Sequence, residues 1–335
     1  EERGRGRLVL VKNELYWDRR SVALQRVVFF MVSDPGEALS AYEAGDIDAA
    51  MPRQLPLAEV PRLLSQGQAR QAPLLATYFL VFNTTRPPFH DPRVRRAFSL
   101  AIDRRALVEG VLQGLPRPAL ALVPPGIVNP ATGRDFRSEG GDYLQDADVA
   151  TARSLLAAAG YPEGRGFPPV TVLFNTEGEQ REIMVALQEM WRERLGVEVQ
   201  LVGEDWQGYR QRREAGDFHL ARVGWVGEYA DPAAFLSLFR GDDPRNFGRW
   251  RSAAYDELLA RAQASAAQGT RLDALHQAEA LLLQESAVAP IYFYVQFWLQ
   301  RDAVEGLFVD LQGNAFLRSV RIAAQASPGP GEGAG

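Results

Sequence analysis

The sequence has no cysteine and only three histidines, His90, His219 and His276, in 335 residues. Without thiols it makes no disulfide and has no thiol nucleophile, and such a composition suits an oxidising compartment without requiring one. The histidines fall at no metal-ligand spacing, so neither a metal held by protein side chains nor any other cofactor is expected. No apolar run reaches the roughly 18 to 20 residues of a membrane span. Basic excess is also missing: 37 Lys+Arg against 42 Asp+Glu give a net charge of -5 and a pI near 5.5. With arginines interleaved among acids, nucleic acid and anionic membranes are poor candidate partners. Enzymatic signatures are absent as well: no G-x-S-x-G elbow, no H-E-x-x-H, no Walker A loop and no G-x-G-x-x-G between a strand and a helix. The "GRGRL" near the start has two glycines but no helix after it. The carboxylate pairs Asp46/Asp48 and Asp242/Asp243 read as solvated loop charges, so no enzymatic activity is expected. No signal peptide is visible, because the chain opens "EERGRGRLVLVKNELYW", which reads as a strand.

What is present is a globular composition, 46% hydrophobic and 24% charged, in a chain long enough for two or more lobes. Strands are expected at 7–13 and 24–34, then a short helix within 35–51 stopped by Gly45 and followed by a short strand. An apolar strand spans 74–85. A single helix is expected over 91–114, with Asp91 as N-cap, Pro92 at its first position, Val94, Phe98 and Ile102 on one face, and Gly114 past its end. Its arginines 93, 95 and 96 read as a solvated face. Residues 115–145 are rich in Pro and Gly and read as a long, mobile surface loop. A helix at 146–159, a strand at 169–176, a helix at 179–196, a strand at 197–205, a helix at 205–214 and the strand "FHLARVGW" then alternate as in an α/β lobe. Helices at 232–240, 252–265 and 270–285 lead to an aromatic strand at 289–300, and the final "SPGPGEGAG" reads as disordered.

One stretch breaks the usual logic. In "VGWVGEYADPAAFL" (223–236) an apolar strand ends on Gly227 and the carboxylate Glu228, and Asp231-Pro232 starts a new helix. The chain resembles, in order, the large extracytoplasmic solute-binding proteins of peptide ABC transporters (family 5). "FNTTRPPFHDPRVRRAFSLAIDRRALVEGVLQG" carries the family pattern in Asn83, Pro87, Pro88, Phe89, Asp91, Arg93, Val94, Arg95, Ala97, Asp103 and Arg104. "ARSLLAAAGYPEG", "NTEGEQREIMVALQEMWRERLGVEVQLVGEDWQGY", "GDFHLARVGWVGEYADPAAFL" and "AVAPIYFYV" continue it, so the likeness covers about residues 7–322. "ARVGWVGEYADP" is most similar to the oligopeptide branch.

The resemblance implies an α/β, periplasmic binding protein-like (type II) two-lobe fold. Residues 1–75 would be the second part of lobe one, 76–290 the whole of lobe two, 291–323 the return to lobe one and 324–335 a disordered tail. Lobe one would then be incomplete, the chain being a fragment, a truncated product or half of a split protein. The missing N-terminal half would be a candidate partner, and this chain alone would expose unpaired sheet edges and bind peptide weakly or not at all. The family's lobes close over an extended peptide, bonding its backbone and leaving its side chains in wet pockets, which gives affinity without strong sequence preference. Permease subunits would be further partners, ATP being hydrolysed elsewhere, and the location would be periplasmic or extracytoplasmic. Alternatives on the same fold are a ligand-sensing regulator, or a receptor for a dipeptide, metal chelate or haem.

By the same resemblance, Glu228 takes the peptide's α-ammonium, with Glu where the best-known members have Asp. Arg222 and Arg213 serve its C-terminal carboxylate, a task suited to guanidinium. Gln180 stands where those members have a carboxylate-binding His. Trp206, Trp225 and Tyr229 would line side-chain pockets, and Tyr292 and Tyr294 would border the cleft. Plainer readings stand beside these: Arg222 and Glu228 as ion pairs with each other or with neighbours, Trp206 and Trp225 as core, Gln180 as a first-turn helix residue, and Asp231-Pro232 as only a helix start.

Overall fold

The structure is a computed structural model that describes residues 2–4, 6–52 and 54–323. The Pro/Gly-rich end expected to be disordered lies outside them. The chain divides into two compact units, residues 1–72 with 296 onward, and residues 73–295.

In the first unit, β1 (Glu2–Gly4), β2 (Arg7–Val11) and β3 (Arg26–Phe30) form an antiparallel meander. The helix α1 (Pro35–Ala44) starts where the Asp34 carboxylate accepts from Gly36 N at 2.7 Å and stops at Gly45, whose φ of 92° suits glycine. β4 (Ala49–Ala50) and α2 (Val60–Ser65) follow. The strand β5 (Ala69–Phe82) carries the chain into the second unit, and β10 (Val288–Gln300) brings it back, pairing its last residues with β4. Two small ribbons close this unit, β11 (Val304–Glu305) with β14 (Arg321–Ile322) and β12 (Phe308–Val309) with β13 (Ala315–Phe316). Leu15, Trp17 and Met31 are widely exposed here.

The second unit contains α3 (Pro92–Leu100), α4 (Arg104–Gly110), β6 (Arg117–Pro118), α5 (Phe136–Gly140), α6 (Val149–Ala158), β7 (Val170–Asn175), α7 (Gln180–Leu195), β8 (Val199–Glu204), α8 (Trp206–Ala215), β9 (Leu220–Val226), α9 (Ala233–Leu236), α10 (Ala253–Ala264) and α11 (Gln268–Gln284). Strands β10, β5, β9, β7 and β8 lie side by side in that order, and β6 adds to β10. β7 is parallel to β8 and β9, a pairing that the helical crossovers α7 and α8 make possible, whereas β5 runs antiparallel to β9. From Leu74 to Phe82 every residue of β5 is buried, which explains an unbroken apolar run in place of alternation. Tyr78, Leu80 and Phe82 join Val94, Phe98, Leu187 and Trp191 in one core, where Trp191 Nε1 donates to the Phe98 carbonyl at 3.0 Å. Phe79, on the other face, meets Phe239 edge-on at 6.0 Å.

Four expectations need correcting. The helix expected over 91–114 is two, α3 and α4, because Asp103 caps a new start, accepting from Ala106 N at 2.9 Å and from Arg194 at 2.9 Å. The apolar period through Val94, Phe98 and Ile102 runs across the break and hides it. Arg95 is not a solvated residue: it is 3% exposed and donates to the carbonyls of Phe89, His90, Glu285 and Ser286. The last two lie just past the C-terminus of α11, where backbone acceptors lack helical partners. Residues 115–145 are not a loose surface loop. Ala119, Ala121, Leu122, Val123, Ile127 and Phe136 are buried, and the fully buried Glu279 of α11 accepts from Leu122 N, Val123 N and Arg137 Nη1 at 2.7 to 2.9 Å. Backbone without a ladder must find such acceptors when buried. Lastly, Asp243 is no solvated charge but is clasped by Arg245.

Candidate functional site

Period-two alternation on β9 decides where the candidate residues go. Arg222 is opposite Leu80 and Gly224 opposite Tyr78, on the face that carries the Tyr78 core, while Trp225 is opposite Thr77 on the other face. The candidates therefore fall into two groups.

The first group surrounds Arg222. Its side chain is buried, 9% exposed, yet among the described residues no carboxylate lies within 4.0 Å of the guanidinium. Nε donates to Asn175 Oδ1 at 2.7 Å, Nη2 donates to the same oxygen, and Asn175 Nδ2 donates to Glu177. Glu177 in turn accepts from Trp206 N at 2.9 Å. Tyr78, Tyr209 and Trp206 face the cation at 5.7, 5.4 and 6.0 Å, so their ring faces stabilise a charge that burial would otherwise disfavour. Among the described residues Nη1 makes no hydrogen bond, and a Cβ at Gly224 would stand 3.1 Å from Nη1 and 2.9 Å from Tyr294 Oη. Glycine there leaves the approach to Arg222 open.

The helix α8 presents Trp206, Tyr209 and Arg213 at i, i+3 and i+7, one helical face. Arg213 donates to Tyr209 Oη at 3.0 Å and lies 4.1 Å over Phe247, and Tyr209 itself donates to the Arg222 carbonyl. Arg213 Nε is buried without a hydrogen-bond partner among the described residues. Gln180, the first residue of α7, accepts from Tyr78 Oη at 2.8 Å. Tyr294 packs 6.4 Å from Tyr78 and 4.9 Å from Tyr292. Burial pushes the phenols of Tyr78 and Tyr292 well up, so both remain neutral donors. The structure thus brings together Arg222, Arg213, Gln180, Trp206 and Tyr294, and Trp206, 48% exposed, is not core.

The second group surrounds Glu228, exposed in the bend after Gly227. Among the described residues it pairs with Arg245 Nη1 at 3.7 Å and not with Arg222. Arg245 uses Nε and Nη2 to bind Asp243 at 2.9 and 2.8 Å, and this bond holds the Asp243 carboxyl below its usual range. It also lies 5.5 Å from Trp225, whose Nε1 donates to the Ala234 carbonyl at 2.9 Å. Tyr229, 50% exposed, follows Glu228 in the same bend. Asp231, read as only a helix start, accepts from Ala233 N at 2.9 Å and pairs with Arg271 at 2.7 Å.

Sequence reasoning missed Asn175, Tyr78, Tyr209, Gly224 and Arg245. The i, i+3, i+7 spacing in "WQGYRQRR" was a legible sign of Tyr209; nothing local marks Asn175, which is 47 residues from Arg222.

The structure thus places a buried guanidinium, Arg222, in one group and an exposed carboxylate, Glu228, in another, in the bend beyond the end of β9. Residues 2–247 match the family described as bacterial extracellular solute-binding proteins, family 5 Middle, and the chain belongs to that family. It is 32% identical over 321 residues to the oligopeptide-binding protein OppA of Bacillus subtilis, covering 94% of this chain and 58% of that one. Against the probable deoxycholate-binding periplasmic protein YgiS of Escherichia coli, identity is 32% over 301 residues, covering 88% and 54%. The solved Escherichia coli murein tripeptide binding protein MppA superposes with a TM-score of 0.73 at 33% identity, covering 97% of this chain and 63% of that one. The fold is accordingly the α/β fold of periplasmic peptide-binding proteins. The chain spans somewhat under two thirds of the length of these relatives.

Proposed function

We propose that the chain is the ligand-recognising part of a substrate-binding component of an ABC importer, taking short peptides in extended form by their backbone and charged termini. The observation that carries this reading is Arg222, a buried cation that Asn175 and three aromatic rings hold in place and that has Nη1 to spare. Burying a guanidinium without a counter-ion is costly. An incoming carboxylate completes the pair, and Arg213 lies one Tyr209 hydroxyl away for a ligand ending in another register. Glu228 supplies the opposite pole for the α-ammonium, and Trp206, Trp225, Tyr229 and Tyr294 supply flat apolar walls that tolerate many side chains.

Arg222 alone would serve any carboxylate, a bile acid included; Glu228 is what makes a zwitterionic peptide the best match. In this reading residues 73–295 form lobe two, and residues 1–72 with 296–323 belong to lobe one. No reaction is performed, permease subunits are the partners, and the protein works outside the cytoplasm. The test is native mass spectrometry of the purified chain beside Glu228→Ala. Because Arg222, Arg213, Gln180 and Glu228 all lie within residues 73–295, this chain carries every group proposed to bind the peptide termini, and a ladder of co-purified short peptides, depleted in the variant, is expected in place of the weak or absent binding that an incomplete lobe one would imply. A single non-peptide ligand, or an equal peptide load in both, would overturn the assignment.

A further inference from the structure

Arg245 is more than a surface charge near Glu228. Its Nε and Nη2 are both spent on Asp243, at 2.9 and 2.8 Å, and Asp243 Oδ1 also accepts from Arg245 N at 2.8 Å. The guanidinium lies 5.5 Å from the Trp225 ring, which is itself tied to the Ala234 carbonyl. The position of Arg245 is therefore fixed by contacts that do not involve Glu228. The third nitrogen, Nη1, makes no hydrogen bond among the described residues and stands 3.7 Å from Glu228 Oε1, an ion pair too long for a hydrogen bond. The result is a rigid cation, with two N–H donors uncommitted, beside an anion on a bend after glycine.

We infer that Arg245 is a specificity-determining residue that selects ligands with an acidic side chain on the residue bearing the α-ammonium, peptides beginning with Glu or Asp. This rests on the reading of Glu228 as the ammonium site. An α-ammonium and a side-chain carboxylate on one residue are separated by a few bonds and match the Glu228–Arg245 dipole pole for pole. The ligand carboxylate takes the free N–H groups of Nη1, a charge-assisted bond to a donor already oriented. A basic first side chain meets the same guanidinium as a like charge.

The test is titration calorimetry with Glu-Ala-Ala, Gln-Ala-Ala and Lys-Ala-Ala on the full chain, on Arg245→Gln and on Glu228→Gln. Glu-Ala-Ala should bind about fivefold to tenfold more tightly than Gln-Ala-Ala, with Lys-Ala-Ala weakest. Arg245→Gln should erase that order while still binding Gln-Ala-Ala. Equal affinities in the parent, with Gln-Ala-Ala weakened by Glu228→Gln, would overturn the role of Arg245 and leave the peptide reading intact. Indifference of every peptide to Glu228→Gln, or no binding of any, would overturn the reading of Glu228 and the inference with it.

Discussion

Arg222 illustrates how a residue can be costly for stability and required for function. Its desolvation is offset by Asn175 and by ring faces, not by a carboxylate. Replacing a buried charge with a flexible apolar side chain removes the desolvation cost while leaving Asn175 Oδ1 short of donors, and the two effects oppose each other. Arg222→Met should thus change unfolding free energy by no more than about 1 kcal/mol in urea, yet lower peptide affinity by at least about tenfold. Gly224→Ala is a finer probe: its methyl would crowd Nη1 and Tyr294 Oη, so affinity should fall while the melting temperature holds. Glu228, Arg222 and Arg213 became candidates in the sequence through an ordered resemblance and the odd placement of a carboxylate after an apolar strand. Asn175 did not, because its partner Arg222 is 47 residues away, and Arg245 did not, because a run such as "GDDPRNF" looks like any solvated turn.

At the scale of elements, the alternation of strands and helices from 146 to 226 was readable because each carries its own period and its own stop. Gly160, Gly196 and Gly216 end α6, α7 and α8 with positive φ. The break between α3 and α4 was not readable, since Asp103 interrupts the backbone without interrupting the apolar period. Nor was the packing of 115–145, whose acceptor, Glu279, is more than 130 residues away. That carboxylate and Arg137 are a buried pair, and Glu279→Gln leaves the arginine charge unmatched. Unfolding free energy in guanidinium chloride should drop by about 3 to 5 kcal/mol.

The same cluster carries a pH dependence. His276 stacks on Phe136 at 3.8 Å with Nδ1 3.3 Å from Tyr143 Oη, and burial, then the nearby Arg137, lowers its pKa below 6.5. Asp273 and Glu139 oppose this without reversing it. Between the lowered folded value and 6.5 the unfolded chain holds more protons, so stability rises with pH across that window and is lost on acidification. His219, lowered by burial and then by Arg86, contributes with the same sign. His276→Gln should flatten the slope of melting temperature against pH below 6.5 in part, with the His219 share remaining.

For the whole molecule, the proposed receptor meets its ligand through arginine, carboxylate and aromatic surface. The division at 72/73 and 295/296 falls within β5 and β10, two long strands. Sequence periodicity sees each of these as one uninterrupted apolar run and places boundaries only to within a few residues. The central claim is that recognition reads both charged ends of a short peptide. The measurement that tests it most directly is titration calorimetry of Ala-Ala-Ala against its N-acetylated and C-amidated forms on the full chain. The account predicts binding of the free tripeptide, a loss of at least about tenfold for each blocked form and no detectable binding when both ends are blocked. Blocked peptides that bind as tightly as the free one would contradict it.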